Sequence, residues 1–168
     1  MLRLGRCRLA LAGAHSRANA LAAIAAARHA GVDPLQAIDA LARSQQKKIS
    51  AIVNTHWHLD HVSGNPALRA AHPGLRVYAS GAIDGALAGF LAQSAKESAA
   101  YLDDPQIPQE TRDDIRGDLL TIQNGAALRP DEVIPVSGTM TLGGRPLRIN
   151  LARDAATAGD VWLYDEKT

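Results

Sequence analysis

Thr55-His56-Trp57-His58-Leu59-Asp60-His61 decides how the rest of the chain is read. It gathers three of the chain's six histidines and a carboxylate into a few consecutive positions. A soluble core has no use for that composition. Neutral imidazole is the commonest metal ligand, and a carboxylate beside it suits a hard or borderline divalent ion. The apolar residues Ile49, Ala51, Ile52 and Val53 just upstream read as a buried strand. Asn54 and Thr55 leave that strand at its carboxyl end. If the chain stays extended here, His56 and His58 fall on one side, because side chains alternate with period two. Asp60 and His61 follow as the chain turns into a helix and face the site from another direction. His56, His58, Asp60 and His61 are therefore the candidate ligands, for one metal or for two that share them. The isolated histidines, His15, His29 and His72, read as ordinary surface or satisfied core residues.

Downstream, Gly64 marks a turn or a close backbone approach, and Pro66 to Ala71 a short helix. Pro73-Gly74 ends that helix, and Leu75 to Ala79 is the next strand. Strand, helix, strand in that order predicts a parallel pair with a right-handed crossover. Ligands in such sheets gather beyond the carboxyl ends of the strands, where the histidines sit. Apolar residues from Ile83 to Leu102 keep mostly helical spacing, and Asp103-Asp104-Pro105 stops the run. Gln109 to Gln123 predicts a second amphipathic helix, with Ile115, Leu119 and Ile122 inward and Asn124-Gly125 as its cap. The two helices either cover the mouth of the site or shield one face of the sheet. After Pro130 the period becomes two: Thr139 to Leu142, a Gly143-Gly144 turn and Leu147, Ile149 and Leu151 predict a hairpin. Asp160 to Tyr164 is the last predicted strand.

Upstream, residues 1–32 carry arginines but no Asp or Glu. Leu9 to Ala14 is a short apolar patch, and Ala18-Asn19-Ala20 has the small-x-small look of a signal cleavage site. His15 and Arg17 interrupt any apolar signal core. An export signal, an organelle transit peptide and a plain alanine-rich helix are the competing readings, and cellular location stays open between cytoplasmic and exported. Gly31 and Pro34 break that segment, and a helix from Pro34 to about Ser44 follows, with Leu35, Ile38 and Leu41 on one face. Residues 1–45 are thus read as a helical amino-terminal segment and 46–168 as the main domain.

The 168 residues suffice for about one domain with a core. A formal net charge of +1, with both signs interspersed, gives no footprint for nucleic acid or an acidic membrane. The single cysteine, Cys7, excludes an internal disulfide. No apolar run approaches a membrane span in length. The expected partner is a small-molecule substrate.

His56-x-His58-x-Asp60-His61 after a buried strand, followed by Gly64-Asn65, resembles the metallo-β-lactamase-fold hydrolases. The looser likeness runs from about Asp39 to the end, and Thr157-Ala158-Gly159-Asp160-Val161-Trp162-Leu163-Tyr164 is similar to the family's His-Thr-x-Gly-Asp stretch and following strand. The resemblance implies an α/β fold, an αββα sandwich present here in part as mixed sheet with flanking helices. It implies zinc, commonly two ions, with iron or manganese in some branches. By the same resemblance His56 and His58 bind the first metal and Asp60 with His61 the second, and a bridging hydroxide attacks the substrate. Zinc lowers the pKa of bound water to about 7, and two ions roughly 3.5–4 Å apart stabilise attacking and leaving oxygens. Asp60 also orients the nucleophile and carries protons, while Trp57 and Leu59 pack.

The sequence departs from the family's pattern in three places. Ala156 stands where the next metal histidine is expected, leaving Asp154 or Asp160 as substitutes. The chain ends before the family's later Gly-Asp motif and final histidine. The first 45 residues read as helical, where the family has strands. The expectation is a fragment, a truncated product or a degenerate relative, whose exposed sheet is covered by a further half or by a second copy. Three functions follow: a metal-dependent hydrolase of an ester, thioester or amide-type bond, a non-catalytic metal-binding relative, or an iron-dependent oxidoreductase on the same fold.

Overall fold

The computed structural model describes residue 31 and residues 33–165. The readings of residues 1–30, including the signal-like patch, His15 and His29, lie outside the described residues. The chain divides between Ile49 and Ser50 into two compact units.

In the first unit, helix α1 runs Pro34–Ser44. Proline at its start needs no amide partner, and Asp33 accepts the Leu35 N–H through Oδ1 at 2.9 Å. The helix closes on Gln46, which takes φ 54°. Lys47 N–H then reaches the Ala42 carbonyl at 2.9 Å.

The second unit holds two three-stranded sheets. In the first, β1 (Ala51–Val53), β2 (Arg76–Ala79) and β3 (Glu132–Val133) lie parallel in that order. Between β1 and β2 come α2 (Leu59–Val62) and α3 (Asn65–Ala71), which make the expected crossover. In the second sheet, β4 (Gly138–Leu142), β5 (Arg145–Ala152) and β6 (Asp160–Tyr164) form an antiparallel meander. Gly143 and Gly144 both adopt positive φ, 58° and 78°, as a two-residue hairpin turn between right-twisted strands requires. The result is a mixed α/β arrangement consistent with part of an αββα sandwich.

Two apolar clusters hold it together. Ile134, Ile149 and Val161 are buried between the sheets, with Val53 and Tyr78 on one side and Met140, Leu142 and Leu151 on the other. Val62, Ile83 and Leu128 form the second cluster, against Trp57, Leu59 and Leu87. Full burial of each such side chain contributes about 1.5–3 kcal/mol. β3 joins the sheet through Asp131: its N–H reaches the Val77 carbonyl at 2.8 Å, and its Oδ2 accepts the Val77 N–H at 2.8 Å. Arg69 holds the same carboxylate and also donates to the carbonyls of Ala127 and Arg129.

Several local expectations are corrected. The strand expected from Ile49 begins at Ala51. The single helix expected from Ile83 to Leu102 is two, α4 (Ala82–Ala88) and α5 (Phe90–Tyr101). Gly89 separates them at φ −114° and ψ −97°, a conformation no helix continues through. Helix α6 (Gln109–Gln123) matches its predicted span, and Ile115, Leu119 and Ile122 are only half-buried. Gly125 is not its left-handed cap. It opens a 3₁₀ turn, Gly125–Leu128, where a Cβ would lie 2.6 Å from Leu87 Cδ2 and oblige that side chain to shift. The short strand β3 carried no signal in the sequence. Among the described residues, no helix is long and apolar enough to cross a membrane.

Candidate metal centre

The motif residues leave β1 through Asn54, which is buried. Its amide and that of Asn65, 1% exposed, pair face to face. Asn65 Nδ2 donates to Asn54 Oδ1 at 2.8 Å, and Asn54 Nδ2 donates to the His61 carbonyl at 2.9 Å. The strand end, the short helix α2 and the start of α3 are thereby fixed to one another. Both asparagines flank the motif and are visible in the sequence, but their pairing is not, since an amide's partner is not legible from spacing.

The second sheet is bound to the same place. Val161 N–H donates to the Thr55 carbonyl at 2.6 Å, and Ser80 Oγ donates to the Gly159 carbonyl at 2.5 Å. Gly159 must be glycine for this approach: a Cβ would lie 2.6 Å from Ser80 Oγ and 2.9 Å from Ala82 Cβ. Asp160, between these two links, uses its carboxylate to organise the preceding loop. Oδ1 accepts the N–H and the hydroxyl of Thr157, and Oδ2 accepts the Ala156 N–H. Partial burial pushes the Asp160 carboxyl up, but those hydrogen bonds and the nearby His56 charge outweigh it and hold the pKa below the ordinary carboxylate value. Ala156 and Asp154 are exposed.

The three motif imidazoles meet at the surface. His56 Nε2 lies 3.2 Å from His58 Nδ1, with ring centroids 4.6 Å apart. His56 and His61 stack at 3.9 Å between centroids, tilted by 47°. His61 Nε2 lies 3.4 Å from Asp60 Oδ2, whose side chain is 80% exposed. His72 is elsewhere, at the end of α3. Burial lowers the His56 pKa first, and the neighbouring His61 and His58 lower it further against the opposing pull of Asp160 and Asp60. The neutral ring is the form that ligates a metal.

Whether these donors suit a metal can be judged from their spacing. Two nitrogens each about 2.0–2.1 Å from one tetrahedral zinc stand roughly 3.3 Å apart. The His56–His58 atoms, 3.2 Å apart, are in hydrogen-bond contact and the Asp60–His61 atoms, 3.4 Å apart, form an ion pair; both distances are close to that separation. The donors converge in twos: among the described residues, no group of three or more His, Cys, Asp or Glu side chains is arranged to hold an ion. By donor type, imidazole and carboxylate, these residues suit a divalent ion, each pair supplying two ligands. Beside them a small hollow is lined by Asn54, His56, Trp57, Val62, Ile83 and Leu128. Trp57 also meets Phe90, the first residue of α5, at 5.6 Å between ring centroids.

Comparison with known proteins agrees with this architecture. The profile of the metallo-beta-lactamase superfamily matches residues 23–145. A hydroxyacylglutathione hydrolase of Gloeobacter violaceus is 51% identical over 59 residues, which are 33% of this chain and 23% of the relative's length. The chain thus matches about a quarter of that relative. By the extent of the profile match, the chain belongs to the metallo-beta-lactamase superfamily.

Proposed function

We propose that the chain carries the metal-binding elements of a metal-dependent hydrolase acting on an ester, thioester or amide-type carbonyl. The observation that carries this is the pairing of donor atoms, His56 Nε2 with His58 Nδ1 and Asp60 Oδ2 with His61 Nε2, at ligand-to-ligand separation. His56 and His58 would hold one ion, and Asp60 with His61 a second. Zinc suits imidazole and carboxylate donors, and iron or manganese is the alternative. When bound, such an ion supplies hydroxide at neutral pH by lowering the pKa of its water.

The chain's own residues do the rest. The exposed Asp60 carboxylate orients the attacking water and takes its proton. Trp57, Val62 and Leu128 give the hollow on the inner side of His56 a mainly apolar lining. Lowering of the His56 pKa keeps that ring neutral and ready to ligate. A relative named as a hydroxyacylglutathione hydrolase favours an acyl compound as substrate.

Metal analysis of the purified chain beside His58→Ala tests the proposal. The unmodified chain should hold zinc above background and the variant distinctly less. Background levels in both would remove the metal-based reading, and iron in place of zinc would favour the oxidoreductase. A second reading, a metal-binding domain without catalysis, is favoured by Ala156, whose methyl group can ligate nothing and whose N–H serves the Asp160 carboxylate. Metal retention with no turnover of a chromogenic cephalosporin, a thioester and a lactone would select it.

A further inference from the structure

Thr55 stands between the two ligand pairs. Its Oγ1 lies 3.0 Å from His56 Nδ1 and 3.3 Å from His61 Nδ1, so one hydroxyl reaches one member of each pair. These are the ring nitrogens on the far side from the donor atoms: His56 turns Nε2 toward His58, and His61 turns Nε2 toward Asp60. A hydroxyl oxygen has two lone pairs and can accept two hydrogen bonds at once. An imidazole that ligates through Nε2 must carry its proton on Nδ1, and the partner of that proton fixes both tautomer and ring orientation. Thr55 itself is firmly mounted, because its carbonyl accepts the Val161 N–H at the start of β6.

We propose that Thr55 is a positioning residue: its hydroxyl accepts the Nδ1–H of both His56 and His61, holds both rings in the Nε2-donating tautomer, and so links the two halves of the metal centre. The inference rests on the metal-binding role proposed for these histidines. It makes the two ion sites interdependent through a group that touches neither ion.

The test compares zinc binding by the whole chain, Thr55→Val and Thr55→Ser, by competition with a chromophoric chelator. Valine keeps the shape and removes the acceptor, and serine restores it. The valine variant should bind both zinc equivalents roughly 10–100-fold more weakly, the usual cost of losing such an outer partner, and serine should recover most of that loss. In zinc-loaded protein labelled with ¹⁵N-histidine, the Nδ1–H signals of His56 and His61 should be sharp in the parent and exchange-broadened in the valine variant. Thr55 is exposed, so the metal-free thermal melts should coincide. Parental affinity in the valine variant, or weakening of one equivalent alone, would overturn the bridging role. Failure of the parent chain to take up zinc would instead overturn the metal-binding reading on which that role stands.

Discussion

The carboxyl edge of the parallel sheet and the α5–α6 hairpin are secured in different ways. At the sheet edge, changes of direction are tied by hydrogen bonds: the buried pairs Asn54 with Asn65 and Ser80 with Gly159, and the backbone link from buried Val161 to Thr55. Breaking either buried pair leaves a partner without its bond in a place water reaches poorly. In the hairpin, α5 buries Leu91, while one guanidinium gathers the loop. Arg112 donates to the carbonyls of Leu102, Asp104 and Ile107, which closes the loop between the helices. No residue of α6 is fully buried. Stability is distributed unevenly in folded chains. If that contrast is right, substitutions beneath the site should be costly and those along α6 should be mild.

The largest effect is expected for Leu128→Ala. Leu128 is 2% exposed and packs with Val62 and Ile83 under the histidine motif. Truncation removes its transfer free energy and leaves a cavity, so urea denaturation should show a loss of about 2–5 kcal/mol. A loss near zero would mean that the site rests on a core that collapses freely, and the contrast with the hairpin would fail.

A smaller effect is expected at Asp131, which ties β3 to β2. Partial burial raises its carboxyl pKa, but the Val77 N–H, the Arg69 hydrogen bond and the Arg69 and Arg76 charges outweigh that and hold it below the ordinary carboxylate value. A lowered folded-state pKa contributes stability that is complete above the unfolded-state pKa and lost as pH falls through the folded one. The stability difference between the parent chain and Asp131→Asn should therefore be largest near neutrality and shrink in the acid range below the usual carboxylate pKa. Denaturation at several pH values checks this, and a difference constant with pH would remove the charge from the explanation.

Much of this was legible in the sequence, for identifiable reasons. The histidine motif announced itself by composition, and the parallel crossover by a strand, a helix and a strand in order. Gly143-Gly144 named its hairpin because few residues accept two successive positive φ values. What stayed hidden depends on distant partners. Gly89 and Gly125 sat within or beside helical patterns, and only the folded backbone shows that α4 stops at Gly89 and that Leu87 lies against Gly125. β3 has two residues, too few for any period to register, and is recruited by Asp131. Thr55 was written into the motif, yet its two imidazole contacts appear only once the chain bends back at α2.

The smallest effect is expected for Leu120→Ala on α6. Leu120 is 66% exposed, so its side chain is already largely in water and its removal creates no cavity. Leucine and alanine are both strong helix formers, and the exchange leaves backbone preference nearly unchanged. Surface substitutions of this kind fall within about 0.5 kcal/mol of the parent. Urea denaturation beside Leu128→Ala measures the two regions on one scale. A loss at Leu120 approaching that at Leu128 would mean that something covers the outer face of α6 in solution. α6 would then be a packed element, as dependent on burial as the apolar floor beneath the histidine motif.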